Sequence, residues 1–577
     1  MGLEVILCLA MTAGGWQQQA PPVGAATDAS QQRGFRISGT IVDGMSGQPL
    51  AHALVSISAQ DVRDSGRSME TGEDGRFVFE NLVPGQYGLF ARRKGYLQQF
   101  YKQHEQFSTA IIVGPELNSE NFRFEMRPQA SISGQVLDEM NEPVRNAGVM
   151  LFRRAVALGR RQNWHQNSAQ TDDLGHFHFG HLDPGTYFVA VSAQPWYAQR
   201  VMHQRVERTV SSGQGVYSGT FFANGPQTLG TNVEEITTGE PELDVVYPIT
   251  FFPNAADMAG AAAITVRAGD TETADIRLQP VPALHIVVRI TVAASSQPVE
   301  GENFWAQAMQ TVADGVQMPV PANNQQIAPG VVEISGLPPG QFHLQLTSNK
   351  NGERTSRTQN VEVAGDTEVS LSEADSSGTV SGIAKLENGA ALSPPPMLVL
   401  RARGGGEQFT TQADSNGEFS LKEQTVPPGT YDVLVANPGA VAVKSMSATG
   451  AKVSGRSLEI TGGQEVRLKV VLSQGTGRVT GFALKDGKPL DGVMIVLVPE
   501  VPDHNLVLFR RDQSDSDGSF ALPGVHPGKY TVVAIEDGWE LEWLTQGVLE
   551  KYLAGGEVVR VTPNAKIEVT VKVQQPQ

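Results

Sequence analysis

Cysteine is almost absent: Cys8 is the only one in 577 residues. It sits in the apolar run Leu3 to Met11. Followed by Thr12-Ala13-Gly14-Gly15, that run reads as the core and small-residue exit of a secretory signal peptide. The leader's basic start is missing, with Glu4 in its place, so residues 1–15 read as a truncated signal. Bulky Ile6 and Leu7 before Cys8, and Leu9 after it, argue against lipidation. A mature chain without that segment has no thiol, which excludes disulfides and thiolate metal sites. Basic surface is scarce as well. Net charge is −17, and the largest cationic clusters are Arg92-Arg93-Lys94, Arg153-Arg154, Arg160-Arg161 and Arg510-Arg511. A nucleic-acid binder would carry a basic face or domain, so none is expected here. Beyond the leader, no run approaches the roughly 18 apolar residues that a membrane span needs. Helical periodicity is confined to about 542–553, where Leu544, Val548, Leu549 and Tyr552 share a face and Gly555 follows as a stop. Catalytic signatures are missing too: there is no Gly-x-Ser-x-Gly elbow and no P-loop. The expectation is an extracytoplasmic protein (periplasmic, cell-surface or secreted) that does not span a membrane, with no enzymatic activity, catalytic residue or cofactor.

What the chain has in quantity is one frame, written repeatedly. Residues 71–87 read TGEDGRFVFENLVPGQY, residues 171–187 read TDDLGHFHFGHLDPGTY, and residues 514–530 read SDSDGSFALPGVHPGKY. A fourth copy runs from Asp414 to Tyr431, and a degenerate fifth from Val331 to Phe342. An Asp/Gly turn is followed by an alternating strand, with Phe77/Phe79, Phe177/Phe179 or Phe520/Leu522 on one face. A Pro-Gly turn then leads to a strand opened by an aromatic, as Tyr87, Tyr187, Phe342, Tyr431 or Tyr530. Upstream stands a second motif: Ser38-Gly-Thr-Ile-Val-Asp43, Ser133-Gly-Gln-Val-Leu-Asp138, Ser381-Gly-Ile-Ala384 and Thr480-Gly-Phe-Ala483. Three copies continue through a proline (Pro49, Pro143, Pro489) into another alternating strand.

Units of about 90–100 residues with roughly seven short strands predict an all-β chain, a tandem array of about five Ig- or transthyretin-like β-sandwiches. After a flexible leader at 16–34, the units are placed at 35–128, 129–281, 282–374, 375–474 and 475–574, forming a rod. The second carries an inserted loop or hairpin at about 197–248, and the third is degenerate. At these motifs the chain resembles the carboxypeptidase regulatory-like domain, most closely in the first, second and fifth units. That resemblance implies a transthyretin-like sandwich. In metallocarboxypeptidases the domain is a non-catalytic appendage, and the peptidase's His-x-x-Glu pair with a distant His is missing here. The fold is also similar to starch-binding-like domains, which implies carbohydrate binding by analogy only.

The candidate sites follow from this frame. His176, His178 and His181, in HFHFGH, have metal-ligand spacing. Alignment with Arg76, Val78 and Asn81 of the first unit instead places them on a replaceable outer strand face, so no metal is expected. Asp515-Ser516-Asp517-Gly518 and Asp414-Ser415-Asn416-Gly417 resemble half a calcium loop but lack its distal ligands. Lys485, Asn564 and Glu536 loosely fit an isopeptide set that the other units lack. Trp196 and Tyr197, beside the insertion, are the favoured ligand-binding aromatics, ahead of Trp305, Trp539, Trp543, Phe221-Phe222 and Phe251-Phe252, which read as core or edge cover. The expected function is an exported, non-catalytic binding or structural protein of the envelope, with polysaccharide as the leading ligand. The alternatives are a protein-interaction scaffold, or an accessory to a separate peptidase, with envelope proteins as partners.

Overall fold

The computed structural model describes residues 34–577 apart from 61–65, 158, 200–201, 210–230, 239, 291–302, 315, 329, 351–352, 372–377, 404–407, 422–425, 437–440, 462–463 and 503–505. The signal at 1–15 and all but the last residue of the leader at 16–34 therefore lie outside the described residues. The chain is all-β. The expected helix at 542–553 shrinks to Glu550–Leu553, because Gly547 takes a φ of 84° and breaks the run before it can propagate.

One arrangement recurs along the chain. A first strand lies between an antiparallel partner and a parallel one. In the first unit Phe35–Asp43 pairs antiparallel with Arg76–Leu82 and parallel with Phe122–Met126, the unit's last strand. Ala130–Leu137 lies in the same way between His176–Leu182 and Thr271–Thr273. Leu284–Ile290 lies between Val331–Leu337 and Thr367–Leu371. Thr379–Leu386 lies between Glu418–Ser420 and Glu465–Gln474, and Gly477–Lys485 between Ser519–Val525 and Lys566–Gln574. The opposing layer is built on an antiparallel pair that is not consecutive in the chain, such as Gly148–Ala157 with Gly185–Ser192. Hydrophobic clusters fill the space between layers, within residues 37–126, 130–278, 284–371, 380–472 and 479–573. The last unit departs from two separate sheets. Gly528–Ile535 pairs in parallel with the end of Lys566–Gln574, which joins the two layers along one edge.

The two sequence motifs turn out to be a cross-strand pair. Gly39 lies opposite Phe77, Gly134 opposite Phe177, Gly382 opposite Phe419 and Gly481 opposite Phe520. The phenyl ring lies over the glycine. A Cβ at Gly39, Gly134 or Gly382 would stand 2.7 Å from that ring, and one at Gly481 3.1 Å from it. In all four it would also collide with a main-chain oxygen of the parallel last strand: Phe122, Ala274, Leu468 or Val569. The motif's Asp closes the next turn. Asp43 Oδ1 accepts from the N–H groups of Met45 and Ser46, and Asp138 Oδ1 from those of Met140 and Glu142.

The aromatic after Pro-Gly locks the following corner. The hydroxyls of Tyr87, Tyr187, Tyr431 and Tyr530 donate to the carbonyls of Val83, Asp183, Pro427 and His526, four residues upstream, at 2.7–3.0 Å. The third unit has Phe342 there and makes no such bond. It keeps the topology with neither device.

Units are joined by covered sheet faces. Met150, Phe152, Phe188 and Ala190 form the outer face of the second unit, and Val312, Ala313, Val316 and Met318 of the third pack onto it. The same two units also share a buried charge cluster: His285 lies between two carboxylates, 2.9 Å from both Asp244 and Glu333. Glu333, against the cost of burial and helped by Asp244, raises the imidazole pKa to about 9, so it is cationic at neutral pH. In the last unit Met494, Val496, Val533 and Ile535 are covered by Trp539, Trp543, Leu549 and Tyr552. Strand Met494–Pro499 is therefore buried at every position instead of alternating as expected.

Gly481→Ala is expected to destabilise the last unit by about 1–3 kcal/mol, since the added methyl has no volume to enter. Thermal denaturation followed by tryptophan fluorescence reads this, because Trp539 and Trp543 lie in that unit. An unchanged midpoint would mean that the Gly–Phe pair does not constrain the sandwich.

Candidate functional site

The histidine run lies on a strand face and does not converge. In His176–Leu182 the rings of Phe177 and Phe179 point into the core. His176, His178 and His181 are exposed. His178 Nδ1 is 2.9 Å from Ser133 Oγ, and His176 Nδ1 is 3.8 Å from Asp172. His181 sits at φ 58°, at the irregularity between Phe179 and Leu182. His165 is hydrogen-bonded to Ser168, and the His203 side chain lies outside the described residues. Among the described residues, no three His, Cys, Asp or Glu are grouped to hold a metal ion.

The acidic turns direct their oxygens elsewhere. Asp414 Oδ1 accepts from the main-chain N–H groups of Asn416 and Glu418. Lys485 meets Glu536 at 2.5 Å. Asn564 lies at the far end of the same parallel pair, against Gly475, so the three isopeptide residues are not brought together.

Trp196 and Tyr197 have different fates. Trp196 is 81% exposed, the most exposed large apolar side chain among the described residues. Tyr197 is tethered. Its hydroxyl donates to Glu139 Oε1 at 2.5 Å, while the hydroxyl of Tyr247 donates to Oε2 at 2.6 Å. Burial pulls the Glu139 carboxyl up, but the two tyrosine donors outweigh it and leave the pKa below its ordinary value. The Tyr197 hydroxyl is pushed up to about 12, by burial first and then by that carboxylate. The Trp196 ring stands edge-on to Tyr197, with centroids 5.7 Å apart. Trp196 is thus an open indole held on a fixed base. The expected insertion forms a hairpin, Met202–Thr209 with Thr231–Thr238, a two-stranded sheet that joins no other sheet among the described residues. Phe221 and Phe222 lie outside the described residues. Phe251, Trp539 and Trp543 are buried, whereas Trp305 is 54% exposed.

The expected rod is corrected by a seam that sequence reading missed: the last unit docks on the first. Arg511 forms two hydrogen bonds to the Glu105 carboxylate and lies over the rings of Phe107 and Trp543. The imidazole of His104 stacks on Trp539 at 4.9 Å and 3°. Gln513 Nε2 donates to the Lys102 carbonyl and to Thr109 Oγ1, and Lys102 pairs with Asp491. Asp515, which aligns with the turn-closing Asp172, accepts here from the Ala110 N–H at 3.0 Å and from Gln86 Nε2 at 2.8 Å. The second unit joins through Gly159, whose carbonyl accepts from the Leu544 N–H, and through Arg161 with Glu542. The available signal was the loss of alternation in residues 493–498, which marks a strand covered on both faces.

Residues 36–110 and 131–279, in the first two units, match the model of the carboxypeptidase regulatory-like domain. No curated protein matches the chain. Similar solved structures include a streptococcal ancillary pilin, at 13% identity over 51% of this chain and 99% of that one, with a TM-score of 0.18. GBS52, the minor pilin of Streptococcus agalactiae, is 12% identical over 43% and 97%, with a TM-score of 0.20. BcpA, the major pilin subunit of Bacillus cereus, is 11% identical over 60% and 100%, with a TM-score of 0.14. Likeness at this level carries no argument about function. No helix among the described residues is long and apolar enough to cross a membrane.

The seam should respond to pH through Asp515. Burial, opposed by the Ala110 N–H and reinforced by Asp512 and Asp517, raises its pKa from 3.8 to about 7. A raised acid contributes stability that is full below its unfolded pKa and is lost as pH rises through its folded one. Asp515→Asn, neutral throughout, should therefore gain in melting temperature relative to the parent as pH increases from about 4 to about 8. His104, whose pKa is lowered mainly by burial, titrates in both proteins and cancels in the difference. A difference independent of pH would show that the Asp515 pKa is not raised at the seam.

Proposed function

We propose that this chain, whose first two units match the carboxypeptidase regulatory-like domain, is an exported, non-catalytic binding protein of the cell envelope with polysaccharide as its ligand. The observation that carries this reading is Trp196. An indole 81% exposed on a tethered tyrosine costs hydration without serving the core, and it offers a flat apolar face to a sugar ring. The exported, extracytoplasmic location rests on the signal-like run at 1–15 and on the absence of cysteine after Cys8. The non-catalytic role rests on the missing nucleophile and metal motifs. A protein-interaction role, as scaffold or peptidase accessory, has one supporting observation: the hairpin Met202–Thr209 and Thr231–Thr238 forms a two-stranded sheet of its own, outside the sandwich sheets among the described residues.

Titration of the full chain with soluble starch, xylan and glucomannan, read by tryptophan fluorescence, tests the proposal. Saturable quenching by at least one polymer is expected, weakened about tenfold or more in Trp196→Ala. Binding that survives Trp196→Ala but is lost when the hairpin is shortened favours the scaffold reading. Quenching by none of the three polymers counts against the carbohydrate assignment.

A further inference from the structure

The seam encloses a cleft. Where the first, second and last units meet there is a cavity of about 530 Å³. That is within the range of small-molecule sites, and domain junctions are where such sites concentrate. Its floor is apolar, with Leu97, Val156 and the Trp539 indole all less than 10% exposed. Trp164, 38% exposed, supplies an open aromatic face on the second unit's wall, directly opposite Arg153 in the strand register.

The charges in its wall largely cancel. Arg511 is paired with Glu105, and Arg153 with Asp183. One further cation, Arg127, and one further anion, Glu540, balance each other. His104, with its pKa lowered mainly by burial, adds no charge at neutral pH. The amides of Gln98 and Gln106 line the cleft as well, and neither side chain forms a hydrogen bond among the described residues. A site with an indole face, an apolar floor, unspent amides and no net charge suits a ligand rich in hydroxyls and free of charge. Amides match hydroxyls because each can both donate and accept.

We propose that this three-unit cleft is a binding site for a short neutral oligosaccharide, stacked on Trp164 and hydrogen-bonded by Gln98 and Gln106. It is separate from the Trp196 surface and rests on the same carbohydrate reading of the protein. The Gly538–Glu540 turn of the last unit forms one wall, so the site exists only while the seam is shut. A ligand that binds the closed form must then stabilise the closure.

The experiment titrates the full chain with maltohexaose, cellohexaose, xylohexaose and mannohexaose, and with an oligogalacturonate as the charged comparison. The parent protein, Trp164→Ala, Gln98→Ala/Gln106→Ala and Trp196→Ala are compared, with circular dichroism as the folding control. One of the neutral hexaoses should bind saturably and raise the melting temperature of the parent. Trp164→Ala should lose about tenfold or more in affinity, and the double glutamine variant should also weaken. Trp196→Ala should leave this binding in place. Hexaose binding abolished by Trp196→Ala and untouched by Trp164→Ala overturns the cleft while leaving the wider carbohydrate reading intact. Binding of the oligogalacturonate alone overturns the neutral-ligand assignment. No binding by any probe overturns the cleft, and polymer binding at Trp196 is then judged on its own titration.

Discussion

A phenyl ring lying over a glycine is the contact on which the repeated sandwich depends. The glycine belongs to the first strand and the phenylalanine to its antiparallel neighbour, some forty residues later in the first two units. The main chain of the unit's last strand closes over the same spot. Three strands are thereby fixed at one point, and neither partner tolerates a change of size. The tyrosine four residues past its acceptor carbonyl fixes the next corner in the same units. Between them the two devices set the register of both layers.

The third unit shows what happens without them. It keeps the same strand order around its own hydrophobic cluster. Its added support comes from outside, where residues of its strands Asn303–Ala313 and Val316–Pro319 cover the second unit's apolar face and His285 sits between Asp244 and Glu333. Each partner there would be costly to leave alone: the imidazolium without its carboxylates, or the carboxylates without a cation. The link between these units is thus built from one apolar face and one buried charge cluster.

Much of this was legible because the frame is local. Turn residues, alternation and the aromatic after Pro-Gly are set by neighbours in the chain, so Phe177 and Phe179 could be assigned to the core and the intervening histidines to the outer face. The parallel last strand was not legible, since nothing local encodes which distant strand it joins. The seam was hidden for a similar reason. Trp539 and Trp543 were read as core or edge cover of their own unit, which they are, but Trp539 also stacks on His104 of the first unit and Trp543 also lies against Gly159 of the second. Glu105 and Arg511 look like solvated surface charges until tertiary structure pairs them. Tyr197 was grouped with Trp196 as a contact residue. Its hydroxyl is instead committed to Glu139, a partner fifty-eight positions away that no spacing rule anticipates.

The seam also fixes how the molecule would respond to tension. It joins residues near 102–112 to residues near 491–516 and so closes the intervening units into a loop. A pull applied at the two ends of the chain would pass across this contact and spare the third and fourth sandwiches. Those would feel load only after the last unit had detached from the first and second. The chain would then lengthen abruptly, as a slack tether paid out behind a latch. Its mechanical strength is that of Arg511, Trp539 and Asp515 against the first unit, not that of any single sandwich.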